Sequence, residues 1–215
     1  MVGRRFVEAV SSLSFPHAFN PYADRCPVHD KPSAAKTRAK ILRRLLAAAE
    51  RQGVDSLWIG RDLGWRGGRR TGLAFTDDAH FAAHLARFGL GAARPTRGAP
   101  LAERTASVLW EALARIEGTV FLWNVFPLHP HPPGEPFGNR KHDARERAAG
   151  EEILRELIQM LRPRRIVAIG SDAAASASRV APEAALFPLR HPSFGGEARF
   201  RSEIAALYDL PLNSG

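Results

Sequence analysis

The sequence predicts an α/β fold, a three-layer α/β/α sandwich around a central four-stranded parallel sheet. Short apolar segments alternate with longer segments of helical periodicity along most of the chain. The apolar segments end at glycine or at polar residues, which is typical of buried parallel strands. A length of 215 residues suits one domain with a sizeable core.

The chain is expected to divide at its first clear helix. Residues 1–33 predict an N-terminal arm packed on the domain, because prolines interrupt any long element there. Residues 34–215 predict a single domain. Its first helix has Ser33 as candidate N-cap, apolar residues at helical spacing, and Gly53 at its end.

The remaining elements follow in alternation. Thr76 is a candidate N-cap for the second helix, and the proline-rich residues 125–139 predict a long loop. Strands are predicted at 56–59, 120–124, 166–169 and 185–189. Helices are predicted at 33–53, 76–89, 101–118, 143–161, 171–178 and 196–210.

The composition narrows the class of partner. A formal net charge of +9 favours a polyanionic partner, with nucleic acid ahead of a membrane surface, although free use of arginine by the genome also accounts for such a charge.

The one cysteine, Cys26, excludes a disulfide framework and a four-cysteine cluster within the chain. Cys26 with His29 falls short of a zinc site. No apolar run approaches the roughly 20 residues of a membrane span, and no secretory signal is recognisable, so a cytoplasmic location is expected.

Polar residues follow three of the four predicted strands. Asp62 comes after the first strand, Asn124 ends the second and His191 follows the last. Each alone is explained by a turn, a strand end or a core histidine. Carboxyl ends of parallel strands meet at one edge, where ligands bind, so together they predict one site. Motifs for nucleoside-triphosphate hydrolysis, dinucleotide binding, zinc proteolysis and serine hydrolysis are missing from the sequence.

Four segments in order resemble the motifs of the uracil-DNA glycosylase superfamily. They are "GRDLGW", "GLAF", "LWNVFP" and "HPSFGG", and the resemblance runs from about Leu57 to Phe200. It implies a uracil-DNA glycosylase-like fold and a monomeric enzyme that flips uracil out of DNA and hydrolyses its N-glycosidic bond. The implied partner is uracil-containing DNA, with no membrane, cofactor or metal. One cysteine also separates the chain from the branches that hold an iron–sulfur cluster.

The resemblance also implies roles for individual residues. Asp62 would orient a water molecule and stabilise positive charge on the sugar, and neutral His191 would donate a hydrogen bond to uracil O2. Asn124 would match the N3–H and O4 of uracil, whereas cytosine has that pattern reversed. Phe75 would stack on the base. Gly60, Gly64 and Trp65 of the first motif are also assigned to the base pocket.

The first motif departs from the pattern of the best-known uracil-specific members. Leu63 stands where they have proline, and Gly64 stands where a tyrosine shields the pocket from the methyl group of thymine. Trp65 could substitute for that shield. Alternatively, the pocket accepts mismatched thymine, hypoxanthine or xanthine, or the protein binds uracil-containing DNA without catalysis.

The resemblance assigns a further set of residues to DNA. Phe194 would fill the gap left by the flipped base, and an arginine from residues 197–201 is the alternative. His129 and His131 lack a carboxylate or cysteine at ligand spacing, so surface or DNA-backbone contacts are expected of them. The predicted DNA-binding residues are Ser193, Phe194, Gly195, Arg66, Arg69, Arg70, Arg199 and Arg201.

Overall fold

A computed structural model describes residues 2–211 and has a parallel four-stranded sheet at its centre. The strands are β1 (Ala18–Phe19), β2 (Ser56–Asp62), β3 (Val120–Phe126), β4 (His129–Pro130), β5 (Arg165–Ile169) and β6 (Leu186–Leu189). The sheet has the order β3-β2-β5-β6, and all of its neighbouring strands are parallel. The short β1 and β4 form a separate antiparallel pair. This confirms the predicted sheet.

Helices cover both faces of the sheet. They are α1 (Val2–Ser12), α2 (Ala34–Gln52), α3 (Gly68–Thr71), α4 (Phe81–Ala86), α5 (Arg104–Leu113), α6 (Ala144–Leu161), α7 (Ser171–Val180) and α8 (Glu197–Leu207). Apolar residues of α1, α2, α4, α6 and α7 form one core cluster with the sheet, and those of α5 and α8 form the other. The three-layer α/β/α architecture is therefore confirmed.

Successive side chains of each strand point to opposite faces of the sheet and so belong to different cores. In β2, Leu57 and Ile59 belong to the core beneath α2 and α6, while Trp58 belongs to the core beneath α5 and α8. In the neighbouring β3, Phe121 and Leu122 divide in the same way. Since both faces are apolar, the strands read as continuous hydrophobic runs.

The segment before residue 34 includes a helix that the sequence analysis did not assign. Phe6 and Val10 of α1 are fully buried and belong to the same core as α2 and α6. After α1 the chain crosses to β4, with which β1 pairs. The proline-rich stretch 125–139 is therefore not wholly loop, since it contains the end of β3 and all of β4.

The second predicted helix, at 76–89, is wrong in its extent. Its first residues form a turn, and α4 begins only at residue 81. Oγ1 of Thr76 is hydrogen-bonded to the ring Nδ1 of His84, at 2.8 Å, instead of capping a helix. Asp77 accepts a hydrogen bond from the backbone N–H of His80. Ser33 likewise makes no side-chain cap, although α2 begins directly after it.

Among residues 2–211, no helix combines the length and the apolar character needed to cross a membrane.

Candidate active site

A pocket of about 400 Å³ opens at the carboxyl edge of the sheet. Its walls come from the ends of β2, β3 and β5, the first turn of α7 and the loop after β6. Asp62, Asn124 and His191 all line it, and so does Phe75. The structure thus brings together four residues that the sequence analysis placed in one site.

Gly60 allows Phe75 and Asn124 to approach the same piece of backbone. Gly60 and Asn124 face each other in the register of β2 and β3. A Cβ atom on Gly60 would lie 2.4 Å from Cζ of Phe75 and 2.7 Å from Oδ1 of Asn124, closer than van der Waals contact permits. Phe75 has a left-handed backbone with φ of 53°, and its carbonyl accepts a hydrogen bond from Nε1 of Trp110. These contacts fix an aromatic face beside an amide.

The amide of Asn124 has an unused acceptor. The residue is 3% exposed, and its Oδ1 has no hydrogen-bond partner among the described residues. A buried carbonyl oxygen left without a donor costs about 1–3 kcal/mol. A ligand that carries an N–H group at this position would supply the missing donor.

Asp62 is held by two hydrogen-bond donors. Its side chain is 6% exposed. Nε of Arg61 donates to Oδ2 at 2.6 Å, and Nδ1 of His142 is hydrogen-bonded to Oδ1. Each carboxylate oxygen therefore has one protein donor and keeps a second acceptor position. Together the two contacts hold the carboxylate in one orientation.

His142 is a site residue that sequence reasoning missed. Its side chain is almost completely buried, and its ring packs edge-on against Phe126 of β3. The next residue, Asp143, caps α6 by accepting hydrogen bonds from two backbone N–H groups, while Glu146 accepts one from the backbone of Asp143. This capping box fixes the chain that carries His142. A lone histidine before a helix cap carries no sequence signal that relates it to Asp62.

His191 is held as a neutral ring that can donate from Nε2. The backbone N–H of Ser193 donates to its Nδ1 at 3.1 Å, so Nδ1 is the acceptor and the ring proton is on Nε2. Burial lowers the pKa of His191 to about 4, and the charges of Arg61 and Arg190 act in the same direction. Oγ of Ser193, predicted to contact DNA, is hydrogen-bonded to the same ring nitrogen.

The wall near Gly64 is not formed by Trp65. Gly64 lines the pocket, but the indole of Trp65 lies outside it, packed against Phe137 with 5.8 Å between ring centroids. The pocket is lined instead by Glu103, whose Oε1 would lie 3.4 Å from a Cβ on Gly64. Glu103 is a second residue that the sequence analysis missed, since it precedes a helix far from every motif.

The structure corrects the assignment of Arg69 and Arg70 to DNA. Both are buried, with 6% and 5% exposure. Arg69 stacks on Phe19 and is hydrogen-bonded to the ring of His129, and Arg70 forms an ion pair with Asp78. Cations tied into the interior in this way are not available to phosphates, so their positive charge serves the fold.

The other residues predicted to contact DNA are at the surface. Phe194 is 96% exposed and has a left-handed φ of 52°, and Gly195 follows with φ of 72°. Arg66 is exposed and lies over the Trp65 ring. On α8, Arg199 pairs with Glu203, and Arg201 pairs with Glu111 and Glu197.

No metal-ligand cluster is found among residues 2–211, where no three His, Cys, Asp or Glu side chains are grouped to hold an ion.

His129, expected at the surface, is fully buried. Its Nδ1 accepts from Arg69, and its Nε2 donates to the carbonyl of Gly138 at 2.9 Å. His129 is therefore part of the structural support behind the pocket.

The sequence was compared with models of known protein families. Residues 49–208 match the model described as the uracil DNA glycosylase superfamily, and this range includes every pocket residue discussed above. The chain belongs to this superfamily. Superfamily membership identifies it as a DNA glycosylase. No curated protein sequence matches the chain.

Solved structures extend the comparison to the fold. The superfamily member described here matches the crystal structure of wild-type SMUG2 from Pedobacter heparinus with a TM-score of 0.63. The match covers 97% of this chain and 95% of that one, at 15% sequence identity. At this identity the likeness establishes a shared fold, including the segment before residue 49 that the family model does not reach.

Proposed function

We propose that this glycosylase excises uracil from DNA by hydrolysing the N-glycosidic bond and leaves an abasic site. The strongest support is the unpaired Oδ1 of Asn124 at the back of the pocket, next to the ring of Phe75. Uracil presents the N3–H donor that this oxygen lacks, and its O4 accepts from the amide nitrogen. Cytosine presents an acceptor at N3 and a donor at N4, and so leaves Oδ1 unpaired in this orientation of the amide.

The flipped base stacks on Phe75 while its edges are read. Aromatic stacking favours any base with a flat face, so Phe75 supplies affinity and Asn124 supplies selectivity. The contact between Phe75 and Gly60 sets the depth of the pocket, because any side chain at residue 60 would displace the ring. Gly60 therefore belongs to base recognition through the space it leaves.

Cleavage places opposite charges on the two fragments. As the bond from sugar C1′ to uracil N1 breaks, its electron pair goes to the base, and negative charge develops on O2. The Nε2–H of neutral His191 donates to that oxygen, while the carboxylate of Asp62 stabilises the positive sugar. Water then forms the new bond to C1′ and gives a proton to Asp62. Arg61 and His142 hold that carboxylate in position.

In this proposal Phe194 takes the position of the extruded base in the duplex. The loop that presents it also carries His191, which lines the pocket three positions earlier in the chain. An aromatic side chain that is 96% exposed gains burial only from a partner. Insertion between base pairs provides that burial. Exposed cations near the pocket, Arg61, Arg104 and Arg190, would contact the phosphates.

An excision assay tests the proposal. The protein is incubated in chelator with labelled oligonucleotides that carry uracil, thymine opposite guanine, hypoxanthine or xanthine, and abasic sites are then cleaved with alkali. We expect breakage of the uracil strand. No breakage on any substrate would refute a glycosylase, and tight binding without breakage would indicate a binder. Breakage confined to another base would refute the assignment of uracil.

A further inference from the structure

Glu103 occupies the side of the pocket that Gly64 leaves open. The residue directly precedes α5, and its side chain lies against the turn that follows β2. A Cβ on Gly64 would lie 3.4 Å from Oε1 of Glu103, and one on Gly67 would lie 2.6 Å from Oε2. The two glycines thus make room for a carboxyl group at the pocket wall.

This carboxyl group is not needed by the fold. The backbone N–H of Glu103 donates to Asp77 Oδ2 at 2.6 Å, but the side chain makes no cap to α5. Among residues 2–211, no group donates a hydrogen bond to the carboxyl oxygens of Glu103, and no salt bridge includes them. Burial raises the pKa of Glu103, the charge of Asp77 raises it further, and Arg66 opposes both. An unpaired polar group in this position relies on water from the open pocket.

The assigned contacts leave one edge of the base free. Asn124 takes N3–H and O4, His191 takes O2, and N1 carries the sugar beside Asp62. The remaining edge is C5 and C6. Gly64 and Glu103 belong to the part of the pocket lining that none of these base contacts uses, and Gly64 is two residues from Asp62.

We propose that Glu103 faces C5 of the flipped base and is the residue that discriminates against a methyl group there. The inference rests on the proposed function. The C5–H of uracil leaves space for the water that solvates the carboxyl group. The methyl group of thymine displaces that water and leaves a buried polar group without a partner. A methyl group in a binding pocket changes specificity by about 10–200-fold.

Two substitutions at Glu103 and one control test this role. Glu103→Leu replaces the carboxyl by an apolar wall, and Glu103→Gln keeps a polar group that also needs water. Neither removes a helix cap, since the native side chain makes none. Glu117→Leu is the control, because Glu117 is exposed and lies before β3, at the opposite end of the sheet. The measurement is kcat/KM on oligonucleotides with uracil or thymine opposite guanine.

We expect Glu103→Leu to raise the thymine-to-uracil ratio of kcat/KM by about 10–200-fold while uracil excision is largely kept. Glu103→Gln should stay close to wild type in this ratio, and Glu117→Leu should match wild type. An unchanged ratio in Glu103→Leu, with uracil excision intact, overturns the inference alone. If the wild-type protein excises no uracil, the proposed function fails, and the inference fails with it.

Discussion

Asp62 owes its orientation to a residue 80 positions away in the sequence, His142. Arg61 supplies the other donor, but its side chain is 44% exposed and shared with Asp172. The buried histidine is therefore the more rigid of the two partners. We infer that His142 is a positioning residue, which acts on the reaction through Asp62 and does not contact the base.

Substitution of His142 tests this role. Asp62→Asn should slow excision by about 10²–10⁴-fold, the usual contribution of a general base. His142→Ala should lower kcat by less than that and leave KM nearly unchanged, because only the orientation of the carboxylate is lost. His142→Asn, which keeps a donor near the position of Nδ1, should recover part of the rate. Steady-state kinetics on uracil oligonucleotides provide the measurement.

The exposed His17 offers a control in the same assay. His17→Asn should leave kcat unchanged, since asparagine tolerates the left-handed backbone at this position. Equal rates for wild type and His142→Ala would show that Arg61 alone positions Asp62.

At the scale of elements, the start of α6 links stability to the site. Asp143 and Glu146 form a capping box, and Arg140 forms an ion pair with Glu146 at 2.6 Å. His142 stands immediately before this cap. The same hydrogen bonds that cap the start of the helix therefore hold the histidine against β3.

Asp143→Ala should consequently affect both folding and catalysis. Loss of an N-cap costs about 0.5–2 kcal/mol in the free energy of unfolding, which urea denaturation at pH 7 measures. Excision should slow modestly, because the chain before α6 loses its anchor. Asp24→Ala is the control, because Asp24 also accepts a hydrogen bond from a backbone N–H group but lies outside the pocket. A variant that loses stability but keeps full activity would separate the cap from His142.

Most elements were predictable because alternation and periodicity carry information about burial. The predicted strands at 56–59 and 120–124 were too short, since the pairing between β2 and β3 continues to Asp62 and Phe126. The predicted helix at 76–89 failed for the opposite reason. The side chains of Thr76, Asp77 and Asp78 are committed to tertiary hydrogen bonds that a helix would break.

The residues of the site likewise fall into those that the sequence predicts and those that it does not. Asp62, Asn124 and His191 could be placed together because each lies at or just after the end of a predicted strand, and parallel strands end at one edge. His142 and Glu103 each precede a helix, and loops of arbitrary length separate them from the strands. Their distance to the pocket depends on how those loops fold, which no local pattern in the sequence specifies.

At the scale of the molecule, the total of 31 lysines and arginines overstates the cations offered to DNA. Arg38 and Arg70 are buried and paired with Asp30 and Asp78. Such pairs cancel in the field outside the protein. The contribution to DNA binding therefore comes from the exposed cations near the pocket, not from the total arginine content.

Buried histidines should make the whole fold sensitive to acid. Burial lowers the pKa of His84 to about 3 and that of His129 to about 3, and both rings are hydrogen-bonded as neutral groups. In the unfolded chain these rings titrate near 6.5. Because the folded pKa is the lower one, the unfolded state binds more protons below pH 6.5. Stability is therefore complete above that pH and is lost as the pH falls towards 3.

Urea denaturation at pH 7 and pH 5 measures this loss. Each such histidine lowers the free energy of unfolding by about 1.4 kcal/mol for every pH unit below 6.5. Together, His84 and His129 should therefore lower it by about 4 kcal/mol between pH 6.5 and pH 5. That is a large part of the roughly 5–15 kcal/mol that stabilises a typical domain. His84→Gln removes one titrating ring, and the difference between pH 7 and pH 5 should shrink by about 2 kcal/mol relative to wild type. An identical difference in the two proteins would show that His84 is not the buried neutral group described here, whatever other residues titrate in this range.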